Sequence, residues 1–273
     1  MQALPLIISL LLAVAIAPSL VSFLSEGGHL RSNYRGEMLP CPLGLLITAA
    51  ALTALIPLAL LAGLVDANTL NLVGLPLILG VAALGIADDA FAGSSRGWRG
   101  HGGAALKGSF STGALKAVGT LGVALAWSAV TQPSITRFLL AAIVIVLATN
   151  FFNLLDLRPG RSVKGFIIVG AGCVIAAWSF DSLLSLGLWV GPILVCGALD
   201  LRERGILGDS GSNLIGVVAG LWLVLVLGVT GLAVAAAVLA IFTIYGEVRS
   251  INSLIEATPG LRHLDSLGRI TRA

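Results

Sequence analysis

Nine long apolar runs divide this chain, at approximately 2–24, 43–65, 70–88, 113–130, 137–155, 164–180, 183–199, 212–229 and 231–248. Each reaches or approaches the ~20 residues that a helix needs to cross ~30 Å of hydrocarbon. A bilayer offers the backbone no hydrogen-bonding partner, so spanning segments satisfy their own N–H and C=O groups as helices or closed barrels. The predicted fold is therefore all-α, a polytopic transmembrane helix bundle of about nine spans. Only 11% of the residues are charged, against about 25% in a soluble domain. Small residues fit the same solvent, and "GVVAG" (Gly216–Gly220) has the small-x-x-x-small spacing of close helix packing. With no fixed-period repeat and no low-complexity linker, residues 1–273 read as one domain.

The basic residues sort by connection. Loops after the first, third, fifth and seventh runs, with the first residues of the runs they enter, and the tail from 249 to 273 hold 15 of the 16 Lys and Arg residues, and only Arg137 falls on the other side. The positive-inside rule then predicts an outer N-terminus and a cytoplasmic C-terminus. No basic residue precedes the first run, which argues against a cleaved signal peptide. The net charge of +3 reads as membrane orientation, not as affinity for nucleic acid. Three cysteines without paired spacing give neither a disulfide framework nor a zinc site.

Eleven of the 13 acidic residues lie on or near the same face, Asp66 and Asp181 being the exceptions. Three polar sites end or begin apolar runs there. Asp88–Asp89 closes the third run in "GIADDAFAG", where a helix C-terminus makes negative charge unfavourable. "NFFNLLD" puts Asn150, Asn153 and Asp156 at i, i+3 and i+6 along one side of the fifth. "GDSGSN" (Gly208–Asn213) reads as a turn opening the eighth. Taken singly, each has a structural alternative: Asp209 as a helix cap, the asparagines as interhelical hydrogen-bonding groups, the aspartate pair as partners of Arg96 or Arg99. Taken together, ionisable groups at membrane depth point to function.

Hard oxygen ligands without a His or Cys cluster suit Mg²⁺, which one or two carboxylates hold together with substrate phosphates. Arg158, Arg161 and Lys164 follow Asp156, and Arg96, Arg99, His101 and Lys107 follow the aspartate pair; these are candidate phosphate contacts. Topology alone would also retain them.

These motifs, with "NYRGEMLPCPLG" in the first cytoplasmic loop and the tail "SLIEATPGLRHLDSLGR", resemble the polyprenyl-phosphate N-acetylhexosamine-1-phosphate transferases over nearly the whole chain, in particular a branch of compact members. The resemblance implies a reaction at the cytoplasmic face of a bacterial plasma membrane, in peptidoglycan or another cell-envelope glycan. Polyprenyl (undecaprenyl) phosphate would attack a UDP-sugar, giving a polyprenyl-diphospho-sugar and UMP. It implies Asp88, Asp89 and Asp209 as ligands of Mg²⁺ (Mn²⁺ as the alternative), one of the Asp88–Asp89 pair being alternatively a base. It further implies that Asp156 organises the site or assists the nucleophile, that Asn150 and Asn153 position the nucleotide or the loop, and that Lys107, Arg161 and Lys164 touch phosphate. A homodimer is part of the same expectation.

The departures narrow the substrate. The muramoyl-pentapeptide branch carries a histidine run where this chain has only Arg262–His263, so UDP-N-acetylglucosamine is the favoured donor. Pro159 stands where many members have a second carboxylate, and Ile206–Leu207 where an aromatic residue is common. Family members usually have ten or eleven spans. Two other classes compete: a polyprenyl-phosphate carrier or flippase, and a degenerate member acting as an assembly partner. A carrier would show polar residues through the bundle midplane, where Thr48, Thr53 and Thr120 are the mild exceptions. A CDP-alcohol phosphotransferase would need a spaced run of aspartates on one helix, which is missing.

Overall fold

The computed structural model describes residues 1–65, 72, 74–91 and 112–270. In chain order the elements are α1 (Leu4–Glu26), β1 (Leu30–Ser32), β2 (Met38–Pro40), α2 (Gly44–Val65), α3 (Leu75–Phe91), α4 (Thr112–Thr131), α5 (Ile135–Leu155), α6 (Arg161–Ala177), α7 (Asp181–Ser185), α8 (Gly187–Leu201), α9 (Gly208–Val226), α10 (Val229–Val248), α11 (Ile251–Ala257) and α12 (Pro259–Ser266). The described residues are 80% helical, the all-α polytopic architecture the hydropathy predicts.

Each of the nine apolar runs carries a helix, and among the described residues six of these are long and apolar enough to cross a membrane: α1, α2, α4, α5, α9 and α10. Helices α3 and α6 have 17 residues and α8 has 15, short of the ~20 of a full crossing. Pro159–Gly160 and Trp178, in the left-handed conformation, bound α6, while the separate turn of α7 takes the start of the predicted seventh run. The outer surface of the bundle is strongly apolar. Val130 is 86% exposed and Trp178 89%, with Leu11, Ile56, Val118 and Ile175 among their neighbours in kind. Such a surface would aggregate in water and suits a lipid solvent.

Helix α9 is the hub, 78% buried where the other five long spans are 22–39% buried. It packs on α5, α3, α6 and α2. Its glycines make this approach workable: a Cβ on Gly216 would lie 2.6 Å from Cα of Thr149, and one on Gly220 3.0 Å from Cα of Ile145. The small-residue spacing read in the sequence is thus the α5–α9 seam. At the far end of α9, Arg137 donates to the carbonyls of Val224 (2.7 Å) and Leu227 (3.0 Å). Arg137, which the charge pattern sets apart from the other basic residues, is thus a helix C-cap, satisfying carbonyls the helix itself leaves unpaired.

The hairpin was not foreseen, because strands of three residues leave no hydropathy signature. Arg31 pairs with Leu39 in antiparallel register, and Asn33 Oδ1 accepts the backbone N–H groups of Arg35 (2.8 Å) and Glu37 (2.9 Å) to shape the turn. The hairpin leans on the α8–α9 connection: Asn33 Nδ2 donates to Glu203 (3.2 Å), and the Ile206 N–H donates to the Pro40 carbonyl (2.8 Å).

Candidate active site

Asp88 and Asp89 lie inside the last turn of α3, which runs on to Phe91, and not beyond its end. A hundred-degree step separates them, so they serve different neighbours. Asp88 points to α4, where Lys116 Nζ lies 2.7 Å from Asp88 Oδ2 and 2.8 Å from Asp209 Oδ1. The ammonium bridges two carboxylates delivered by helices α3 and α9. Asp89 points to the start of α9 and accepts the backbone N–H groups of Asp209 (3.0 Å) and Ser210 (2.8 Å). Arg31 of the hairpin approaches its outer edge at 3.3 Å.

The "GDSGSN" motif is therefore helix from Gly208 onward, not a turn before one, and Asp209 is not its own cap. The cap comes from Asp89, across 120 residues of sequence. Gly208 has φ +73°, and a Cβ there would sit 2.8 Å from the Asp89 carboxylate. Glycine both adopts the left-handed turn and leaves room for the capping group. A carboxylate at a helix N-terminus is favoured by unpaired N–H groups and the dipole together.

The remaining polar groups close around this pair. Asn153 Oδ1 accepts from Ser212 Oγ at 3.0 Å, tying α5 to the first turn of α9. Asp156 follows α5 as its C-cap, beside Asp200 at the end of α8, whose carboxylate accepts the Gly160 N–H at 2.7 Å. Burial, reinforced by the Asp200, Asp209 and Asp89 carboxylates, pushes Asp156 well above the usual carboxylate range. Burial opposes charge at Arg31 too, but Cys41, Asp89, Asp209 and Asp156 together outweigh it and raise its pKa. The nearby Cys41 thiol is pushed up to about 12 by burial, so it is not a nucleophile at neutral pH.

A cavity of about 1320 Å³ unites these groups, lined by Arg31, Asp88, Asp89, Lys116, Asn150, Asn153, Asp156, Arg158, Asp200 and Asp209. It continues past Val146, Leu147, Ala240 and Ile244, along α5 and α10. One end is charged and hydrogen-bonding, the other apolar.

Several residues singled out by sequence sit elsewhere. Arg161 bonds both oxygens of Asp265 in α12 (2.8 and 2.9 Å) and the side chain of Asn252, and Lys164 donates to the Asp265 carbonyl at 2.7 Å. Neither lines the cavity. They anchor the tail, because Asp265 supplies the partner that phosphate was expected to be. His263 is exposed on α12. Lys107, with Arg96, Arg99 and His101, lies outside the described residues.

Conversely, Lys116, Arg31 and Asp200 belong to the site and were passed over. Lys116 had one available signal, an ionisable residue inside an apolar run. It was counted only as a topological charge.

Asp88 and Asp209 fit a hard divalent cation, since oxygens from both already converge on one cationic atom. Asp89 fits less well, its oxygens being committed to α9 and Arg31. Among the described residues no group of three or more His, Cys, Asp or Glu side chains converges on a metal position. Two carboxylates would leave the other coordination positions to water and substrate oxygens, as is common for Mg²⁺. No family model and no curated protein matches this chain.

Proposed function

We propose that the chain is a Mg²⁺-dependent phosphoglycosyltransferase, moving a sugar-1-phosphate from a UDP-N-acetylhexosamine, UDP-N-acetylglucosamine in first place, to polyprenyl phosphate. The observation that carries this reading is the convergence of Asp88 and Asp209 on one cation position at the charged end of a cavity whose other end is apolar. A nucleotide-linked diphosphate suits the first end and a prenyl chain the second.

In the reaction, an oxygen of the lipid phosphate attacks the sugar-bearing phosphorus of the donor. A new P–O–P linkage forms as the bond to the UMP oxygen breaks, and the leaving phosphate takes the displaced electron pair. The lipid phosphate is already anionic, so the step needs no strong base. Mg²⁺ would neutralise the diphosphate and withdraw charge from the leaving group. Asp88 and Asp209 would hold it. Lys116 supplies a fixed positive charge beside them, and Arg31 a second at the hairpin. Asp89 fixes the first turn of α9 and so the direction of Asp209. Asp156, with its raised proton affinity, is placed to hold a proton near the reacting phosphates.

The topology belongs to this reading: nine spans, an outer N-terminus and the site at the cytoplasmic face of a bacterial plasma membrane. Support comes from the basic loops and tail, all assigned by the charge pattern to the side that carries the carboxylates. The test is UMP release by the purified protein with undecaprenyl phosphate, Mg²⁺ and a panel of UDP-sugars, with and without EDTA. Chelator-sensitive UMP from one sugar is expected. No UMP from any sugar with a folded protein overturns the assignment.

A further inference from the structure

One helical turn beneath the carboxylate layer lies a second layer, neutral and polar. Asn213 follows Asp209 by four residues on α9, and Thr120 follows Lys116 by four on α4. Asn150 precedes Asn153 by three on α5, and Thr243 precedes Glu247 by four on α10. Spacings of three and four keep each pair on one helix face, displaced about 4.5–6 Å along the axis. All eight residues line the same cavity. Because α4 and α9 run away from the charged end while α5 and α10 run toward it, all four displacements point into the bundle.

The second layer is distinguished by bonds it does not make. Asn150 Nδ2, Asn213 Nδ2, Thr120 Oγ1 and Thr243 Oγ1 are buried, each without a hydrogen-bond partner among the described residues. Asn213 is 1% exposed, Thr243 2% and Thr120 4%. An unsatisfied buried donor costs about 1–3 kcal/mol, so four around one cavity call for partners from what the cavity holds. Thr149, on the same helix as Asn150, shows the ordinary solution, its hydroxyl donating to the Ile145 carbonyl at 2.8 Å. The four leave that solution unused. All four can donate, which selects a ligand rich in acceptor oxygens.

We propose that this neutral layer binds the monophosphate of the lipid acceptor, with its prenyl chain leaving past Val146, Leu147 and Ala240. The assignment rests on the transferase reading above and adds where the acceptor sits. The layer lies between the cation-binding carboxylates and the apolar end of the cavity, which is the order of groups in a prenyl phosphate about to attack a metal-held diphosphate. Neutral donors suit an anion that must react, because they orient its oxygens while Lys116, one turn above Thr120, supplies the charge.

The test measures binding of decaprenyl phosphate, decaprenol and inorganic phosphate to the intact protein, and to Asn213→Leu and Thr243→Val variants, each also assayed for Mg²⁺-dependent UDP-sugar binding. The wild type is expected to prefer decaprenyl phosphate over decaprenol by at least tenfold. Each variant should lose most of that preference while keeping UDP-sugar affinity within twofold. Replacing an unpaired amide or hydroxyl by an apolar isostere should also leave the ligand-free melting temperature equal or higher, which a merely structural role would lower. A variant that melts no lower and keeps the full preference overturns the proposal, as does a wild type that prefers inorganic phosphate. If neither decaprenyl phosphate nor UDP-sugar binds the wild type, the transferase reading fails and takes this one with it. If both bind and turn over but the variants are unaffected, only the placement of the acceptor fails.

Discussion

The carboxylate of Asp89 accepts the backbone N–H of Ser210 at 2.8 Å and that of Asp209 at 3.0 Å, so helix α3 caps helix α9. Its neighbour Asp88 contributes to the cation position instead. The two aspartates are chemically alike and separable by experiment. Asp89→Asn keeps one acceptor oxygen and loses the charge at the helix N-terminus, a loss of about 1 kcal/mol of stability. Asp88→Asn breaks one of the two carboxylate contacts of Lys116 and so also lowers the metal-free melting temperature, but it should in addition abolish Mg²⁺ binding and Mg²⁺-dependent turnover. Thermal unfolding beside Mg²⁺ titration of the two variants checks the division. Equal losses of Mg²⁺ affinity would show that both aspartates are ligands.

Lys116 holds Asp88 and Asp209 together at 2.7 and 2.8 Å. In Lys116→Met these carboxylates face each other with no cation between them, and removing one partner of a buried ion pair costs roughly 3 kcal/mol. The metal-free melting temperature should fall, and millimolar Mg²⁺ should restore more of it than in the wild type. Turnover should still drop at least a hundredfold, because the charge beside the phosphates is gone. A variant whose melting temperature ignores Mg²⁺ would show that the two carboxylates do not form the cation site.

Gly216 tests the seam on which the site is mounted. Its absent Cβ would lie 2.6 Å from the Thr149 backbone, where no side chain can move aside. Gly216→Val should separate α9 from α5 and cost about 1–3 kcal/mol by overpacking. Because Asn153 and Asp209 sit on these two helices, nucleotide binding should fall with stability. The measurement is melting temperature against UDP-sugar affinity across Gly216→Ala and Gly216→Val. Unchanged melting in the valine variant would mean that the helices do not meet this closely.

What could be read from the sequence follows from the range of the forces involved. The helices were legible because each satisfies its own backbone, and Asp88 and Asp209 were legible because three carboxylate sites at the ends of apolar runs gather on one face. The first turn of α9 was placed four residues late, since Gly208, Ser210 and Gly211 favour a turn by local propensity. The group that overrides this, Asp89, is 120 residues away. Arg161 failed for the same reason: its position beside Asp156 suggested phosphate, whereas its partner Asp265 lies 104 residues on. The empty donors of the second layer were equally hidden, because an asparagine's lack of a partner is visible only once its neighbours are in place.

The Arg161–Asp265 pair also predicts how the tail responds to acid. Burial alone would raise the Asp265 pKa, but hydrogen bonds and charge from Arg161 and Arg269 outweigh it and hold the carboxyl below its ordinary value of 3.8. A carboxylate with a depressed folded pKa stabilises the docked state fully above the unfolded pKa, and the contribution is lost as pH falls through the folded value. Docking of α12 should therefore be constant from pH 7 to about pH 4 and weaken below it. Hydrogen exchange along residues 259–266, corrected for intrinsic rates, measures this directly. Asp265→Asn should be loosened already at neutral pH and lose the acid dependence. Because Arg269 also donates to the Pro159 carbonyl at 2.9 Å, the Asn variant should loosen the loop after Asp156 as well. Unchanged protection in that variant would mean that apolar packing, including Gly268 against Leu201, holds the tail without the ion pair.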